Sequence, residues 1–272
     1  MYYTLRDGYR MFYEEKGVGP VIIMVHGWAC NHKFFSSQIE EFSKSHRVIA
    51  IDMRGHGESD TDVPGSSMSI PNIAADIKDL MDGLGIEKAI LMCWSIGVLI
   101  GYSFVQQFGC DRLEKLIMID MSPKTSNEED WDYGMGRSET YKDVLNWANF
   151  YAFNWETASQ AFVPGTFGDG SPKDDQAELL DWCRKEIGRT KSDNLVFLTI
   201  SMSTSDFRDV LPTITVPTLL VHGLNSVMFG SHGEKVRSMI PGAKLEMIPG
   251  GHIMFMEHPK EFNKAVLNFL NS

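Results

Sequence analysis

Seven short apolar runs alternate along this chain with amphipathic stretches of helical length, and that rhythm limits the folds open to it. The strand candidates are Arg10–Glu15, Val21–Val25, Arg47–Ile51, Ala89–Met92, Leu116–Ile119, Thr218–Val221 and Lys244–Ile248. Several are unbroken Val/Ile/Leu/Met runs, the pattern of strands buried on both faces of a parallel sheet. Between them the spacing predicts helices over Phe34–Ser43, Ile70–Leu84, Ile96–Phe108, Gly233–Met239 and Pro259–Phe269. Strand–helix alternation of this kind argues for an α/β sheet with helices on both faces. At 272 residues the chain has room for one large domain with an insertion.

The alternation stops between Lys124 and Asp209, where the chain turns helical, loopy and aromatic. We read residues 1-123 and 210-272 as the core and 124-209 as a helical insertion. Most of its aromatic residues are expected to form the core of that insertion. Trp147, Phe150 and Trp155, together with Trp94, are taken as candidates for an apolar substrate pocket.

Composition excludes some partners. With 36 acidic against 25 basic side chains the formal net charge is -11. A phosphate backbone would be repelled, so no nucleic acid is expected. No apolar run approaches the roughly 18 residues of a membrane span, and the first residues lack the basic-then-apolar pattern of a signal peptide. A cytoplasmic location is the expectation. Cys30, Cys93, Cys110 and Cys183 show no metal-ligand spacing and read as free thiols of a reducing compartment. No nucleotide-binding loop is present either, so a reaction without metal or cofactor is expected. A homodimer is compatible with a chain of this kind.

The strongest local signal is Ala89-Ile90-Leu91-Met92-Cys93-Trp94-Ser95-Ile96-Gly97. An apolar strand runs straight into a serine and a helix follows, the setting of a nucleophile elbow. The usual pattern is Gly-x-Ser-x-Gly, and Cys93 replaces its first glycine. Taken alone, a serine at a helix start is as readily an N-cap. Upstream, Val21–Val25 ends in His26-Gly27-Trp28, a loop whose backbone N–H groups can face a developing oxyanion. The second donor would be the N–H of Ile96, at a helix N-terminus where the dipole favours negative charge. His26 reads as a brace of that loop, and Asp52-Met53-Arg54-Gly55-His56-Gly57-Glu58-Ser59 as a structural turn. A serine hydroxyl needs a base to take its proton. His252, in the Gly-rich loop after the last strand candidate, is the best placed of the eight histidines.

The ordered series His26-Gly27, Asp52-x-Arg54-Gly55-x-Gly57-x-Ser59, Ser95-x-Gly97 and Gly251-His252 resembles the α/β-hydrolase superfamily over nearly the whole chain. It looks most like small serine carboxylesterases and perhydrolases. The resemblance implies an α/β-hydrolase fold: a mostly parallel eight-stranded sheet with a helical cap inserted after strand 6. It implies Ser95 as nucleophile and His252 as base, with the N–H groups of Trp28 and Ile96 as oxyanion hole. The family usually places its acid in a Gly-x-x-Asp turn after strand 7, but here that turn is Gly223-Leu224-Asn225-Ser226. Some members carry the acid after strand 6, where this chain has Asp120, so Asp120 is the expected third member and Ser226 is expected to matter little. The implied substrate is a small-molecule ester or thioester of apolar character. Serine at the elbow argues against the haloalkane dehalogenases and epoxide hydrolases of this fold, which use aspartate. A cofactor-free dioxygenase, a carbon–carbon hydrolase or acyltransferase, and a non-catalytic binding protein are the alternatives.

Overall fold

The computed structural model describes residues 1–135 and 140–272; positions 136–139 of the expected cap lie outside the described residues. Eight strands form one sheet: β1 (Tyr2–Thr4), β2 (Arg10–Lys16), β3 (Val21–Val25), β4 (Arg47–Ile51), β5 (Ala89–Trp94), β6 (Leu113–Ile119), β7 (Thr218–Gly223) and β8 (Lys244–Ile248), in the order β1-β2-β4-β3-β5-β6-β7-β8. The pairings β1–β2 and β2–β4 are antiparallel and the rest are parallel. The sequence did not single out β1, a three-residue strand with mostly exposed side chains and no apolar run to mark it. β5 and β7 are buried throughout, as expected of central parallel strands. β8 alternates exposed and half-buried residues because it closes the edge.

The helices are α1 (Ser36–Phe42), α2 (Ile70–Gly83), α3 (Ile96–Phe108), α4 (Tyr141–Phe162), α5 (Ala177–Gly188), α6 (Ser192–Ser203), α7 (Gly233–Met239), α8 (Met254–Glu257) and α9 (Pro259–Leu270). α2 packs on α3, and α1 packs on α9. Gln38 Nε2 ties the second pair by donating to Asn263 Oδ1 at 2.9 Å. Local chemistry starts these helices. Ser69 caps α2 with Pro71 in its first turn, and Thr140 and Asp143 form a capping box on α4. No helix among the described residues is long and apolar enough to cross a membrane.

α4, α5 and α6 all lie between β6 and β7. The two ends of this excursion are stitched together where it leaves the sheet: Lys124 pairs with Asp206 as an isolated bridge, and Phe207 N–H donates to Pro123 O at 3.1 Å. α4 kinks at Asn154, whose backbone (φ -137°, ψ 29°) leaves the helical region.

Register decides what meets at the sheet edge. Val25 is opposite Cys93, Trp94 opposite Ile119, Ile119 opposite Val221, and Gly223 opposite Ile248. The residues that follow these strands therefore emerge together at the carboxyl edge, where ligands of open α/β sheets bind.

Candidate active site

Ser95 follows β5 directly with φ 57° and ψ -128°, a conformation that costs an L-residue of order 1–3 kcal/mol and collects at functional sites. Its amide donates to Ile119 O at 3.0 Å and its carbonyl accepts from Val98 N–H at 2.8 Å, so both neighbours hold the turn. Its side chain makes no capping bond to α3, so the N-cap reading fails here. Cys93, in the place of the pattern's first glycine, is accommodated one helical turn away. A Cβ on Gly101 of α3 would stand 3.1 Å from Cys93 Sγ, so the missing methyl makes room for the sulfur. Burial pushes the Cys93 thiol far up, which keeps it a neutral packing group.

Asp120 leaves β6 with φ 47° and is fully buried. Its Oδ2 accepts from His252 Nδ1 at 2.7 Å and from Ser226 Oγ at 2.7 Å, while Oδ1 accepts from Gly223 N–H at 3.1 Å. His222 Nδ1 lies 3.3 Å from Oδ1 and donates to Phe229 O at 3.1 Å. These acceptors require Nδ1 of both rings to carry the proton, which leaves Nε2 of His252 free to act as a base. Burial alone would raise the Asp120 carboxyl, but His222 and His252 outweigh it and hold it well below the usual carboxylate range. Ser226, expected to be idle, is thus bonded to Asp120. Sequence reasoning also missed His222, which could have been noticed only by pairing the end of β7 with the end of β6.

His26 braces the next loop as expected. Its Nδ1–H donates to Gly27 O at 2.8 Å and its Nε2 accepts from Met53 N–H at 3.0 Å. Burial is the main reason its pKa falls to about 3. Gly27 lets the loop approach the elbow, since a Cβ there would sit 3.1 Å from Ser95 Cβ. The amides of Trp28 and Ile96 have no protein acceptor among the described residues. The 52–59 turn is structural: Asp52 accepts from the His32 and Glu58 amides, and Arg54 pairs with Asp76 and Asp7.

Ser95 and His252 share the wall of a small cavity with Trp28, Phe34, Trp94 and Cys183. Trp94 is buried and holds His252 from behind, its indole N–H donating to His252 O at 2.9 Å. On its other side Ser95 opens to a pocket of about 40 Å³ lined by Met121, Met135, Met202, Met228, Phe229 and Thr199. Five of that pocket's walls, Met135, Trp147, Tyr151, Phe162 and Met228, also line an apolar vestibule of about 300 Å³ that includes Phe150 and Val227. Trp147 and Phe150 therefore stand where an apolar group would enter. Trp155 instead packs edge-on against Trp28, with ring centres 5.5 Å apart. Among the described residues no group of three or more His, Cys, Asp or Glu side chains is arranged to hold a metal ion.

A family model described as the alpha/beta hydrolase fold matches residues 20–259. The chain belongs to this family. The α/β-hydrolase is 28% identical to the AB hydrolase superfamily protein YisY of Bacillus subtilis (strain 168), covering 100% of this chain and 99% of that one. It is 29% identical to the bifunctional esterase/perhydrolase DCH of Acinetobacter calcoaceticus, again over 100% and 99%. In fold it is similar to an esterase (EaEST) from Exiguobacterium antarcticum, with a TM-score of 0.91 at 24% identity over 100% of this chain and 99% of that one. The esterase names among these relatives support a hydrolase, and haloperoxidase names stand beside them, as for a non-heme haloperoxidase of Rhodococcus erythropolis.

Proposed function

We propose that this α/β-hydrolase is a serine hydrolase that cleaves a carboxylic ester or thioester of a small to medium apolar substrate through an acyl-enzyme. The observation that carries the reading is the 2.7 Å bond between His252 Nδ1 and buried Asp120, set beside a strained Ser95 with which His252 shares a cavity wall. Ser95 Oγ attacks the carbonyl carbon while His252 Nε2 takes its proton. Asp120 holds the tautomer and stabilises the imidazolium. The N–H groups of Trp28 and Ile96 donate to the oxyanion, each worth about 3 kcal/mol in reactions of this type. His252 then protonates the leaving oxygen or sulfur. Water attacks the acyl-enzyme, gives its proton to His252, and the carboxylic acid departs as Ser95 recovers its proton.

The segment 124–209 acts as the cap in this reading. Its apolar vestibule, walled by Trp147, Phe150 and Tyr151, suits an uncharged arm of the substrate. The perhydrolase name of the Acinetobacter relative favours a second outcome from the same acyl-enzyme, transfer of the acyl group to hydrogen peroxide.

Hydrolysis of p-nitrophenyl esters of graded acyl length, by wild type beside Ser95→Ala, tests the proposal. Activity that vanishes in the variant is expected, along with labelling of Ser95 by a fluorophosphonate. A wild type that neither turns over any ester nor takes the label would move the assignment to a binding protein.

A further inference from the structure

The loop that carries the Trp28 amide is held from the cap at Trp28, Ala29 and Asn31. The Trp28 indole N–H donates to Thr199 Oγ1 of α6 at 3.0 Å, and its ring meets Tyr151 and Phe162 of α4 with centres 4.8 and 5.4 Å away. Asn31 Nδ2 donates to Glu186 Oε2 of α5 at 2.9 Å. Those bonds fix the side chains of Trp28 and Asn31, on either side of Ala29. Only one of these tethers grips its backbone: Thr190, in the three-residue link between α5 and α6, donates from Oγ1 to Ala29 O at 2.9 Å.

Ala29 is where such a grip matters. Its φ of 60° is left-handed, a conformation alanine adopts only when the surroundings impose it. The turn it makes closes with Cys30 N–H donating to Gly27 O at 3.2 Å, and the Trp28 amide lies inside that turn. Thr190 is itself buried and anchored, its N–H donating to Ile187 O at 3.2 Å. The strain at Ala29 and the worth of one hydrogen bond are of the same order, so losing the bond lets the turn relax.

We propose that Thr190 is a positioning residue for the oxyanion hole, holding Ala29 in its left-handed conformation and thereby making the aim of the Trp28 amide depend on how the cap is seated. This rests on the serine-hydrolase reading above, in which that amide meets the oxyanion. Thr190 itself touches no reacting atom.

The test compares Thr190→Val and Thr190→Ser, each with and without Ala29→Gly, after thermal melts have shown that they fold; Thr190→Ala replaces the valine variant if it does not. With p-nitrophenyl esters, Thr190→Val is expected to lower kcat about tenfold to a hundredfold while KM stays within about twofold, the signature of a displaced transition-state donor. Thr190→Ser keeps the hydroxyl and should restore kcat. In the Ala29→Gly background the valine effect should shrink to a few-fold, roughly, because glycine takes positive φ without a side-chain penalty. Amide exchange at Cys30 should quicken in Thr190→Val and return to normal in Thr190→Ser. An unchanged kcat in an enzyme whose wild-type turnover needs Ser95, or an unchanged Cys30 exchange rate, overturns the proposal. Absence of Ser95-dependent turnover in the wild type would instead bring down the functional reading, and Cys30 exchange alone would then decide whether Thr190 holds the loop.

Discussion

Ser226 Oγ donates to the same Asp120 oxygen that accepts from His252, both at 2.7 Å. Ser226, in the turn after β7 where the family resemblance would put an acid, is thus a hydrogen-bond donor to Asp120 at the end of the neighbouring strand β6. A bond of this kind to a charged acceptor is worth about 1.5 kcal/mol, a factor of roughly ten in rate if it acts through orientation. Ser226→Ala is therefore expected to lower kcat about tenfold with KM unchanged. Steady-state kinetics within twofold of wild type would mean that the Gly223 amide and His222 hold Asp120 without it.

Removing the acid should cost far more. Asp120→Asn is expected to reduce kcat by up to about 10⁴, since the amide favours the wrong tautomer of His252. Ser226→Asp added to that variant places a carboxylate back in the turn after β7, and at least part of the activity should return. The same Ser226→Asp change alone should be harmful, because it sets two carboxylates against each other in a buried site. No recovery in the double variant would show that the 223–226 turn cannot present an acid to His252.

Buried histidines give the protein an acid weakness that begins well above the carboxylate range. His26 is driven mainly by burial from 6.5 to about 3. Between those values the unfolded chain binds a proton that the folded chain refuses, so stability falls as pH falls. The slope is about 1.4 kcal/mol per pH unit for one such group within the window. His232, lowered to about 4 chiefly by burial, acts in the same direction. Urea unfolding at pH 7 and pH 5 should show the loss, and His26→Asn should lessen it. The Asn amide nitrogen stands where Nδ1 does and can still donate to Gly27 O. An equal loss in the variant would assign the acid sensitivity to other groups.

Cys93 and Gly101 should behave as one packing unit. Gly101→Ala would put a methyl 3.0 Å from Met118 Cε and 3.1 Å from Cys93 Sγ, an overpacking of about 1–3 kcal/mol. In a Cys93→Gly background the added methyl occupies space the sulfur has left. The two changes together should cost less than their sum by about 1 kcal/mol, read from a double-mutant cycle of urea melts. Additivity would mean that the methyl is absorbed by Met118.

Trp147 is half-exposed at the vestibule wall. Its removal should raise KM for long-chain p-nitrophenyl esters severalfold, about 1 kcal/mol, less than the roughly 1.5–3 kcal/mol of a fully buried apolar side chain because the ring is half-exposed, and leave the acetate ester little changed. Uniform effects across chain length would place the acyl group elsewhere.

Local patterns in the chain were enough for seven of the eight strands, most core helices and the strand-to-helix serine, because two-faced burial and helical spacing leave direct marks in sequence. Ser95 and His252 could be picked out as candidates for the same reason: each sits in a short segment whose backbone needs are local. Asp120 could be reached only through family resemblance, since nothing nearby distinguishes it from a turn-capping residue. Its partners Ser226 and His222 were not legible at all. They meet it because parallel pairing in register brings Ile119 beside Val221, a relationship across about a hundred residues that no window contains. The cap divides in the same way. Its aromatic composition was evident from the chain, yet whether Trp147 faces a cavity while Trp155 packs behind Trp28 depends on how three helices settle over the sheet. Periodicity encodes what a residue must do for its own element, whereas convergence of side chains from separate elements is decided by the packing that brings those elements together.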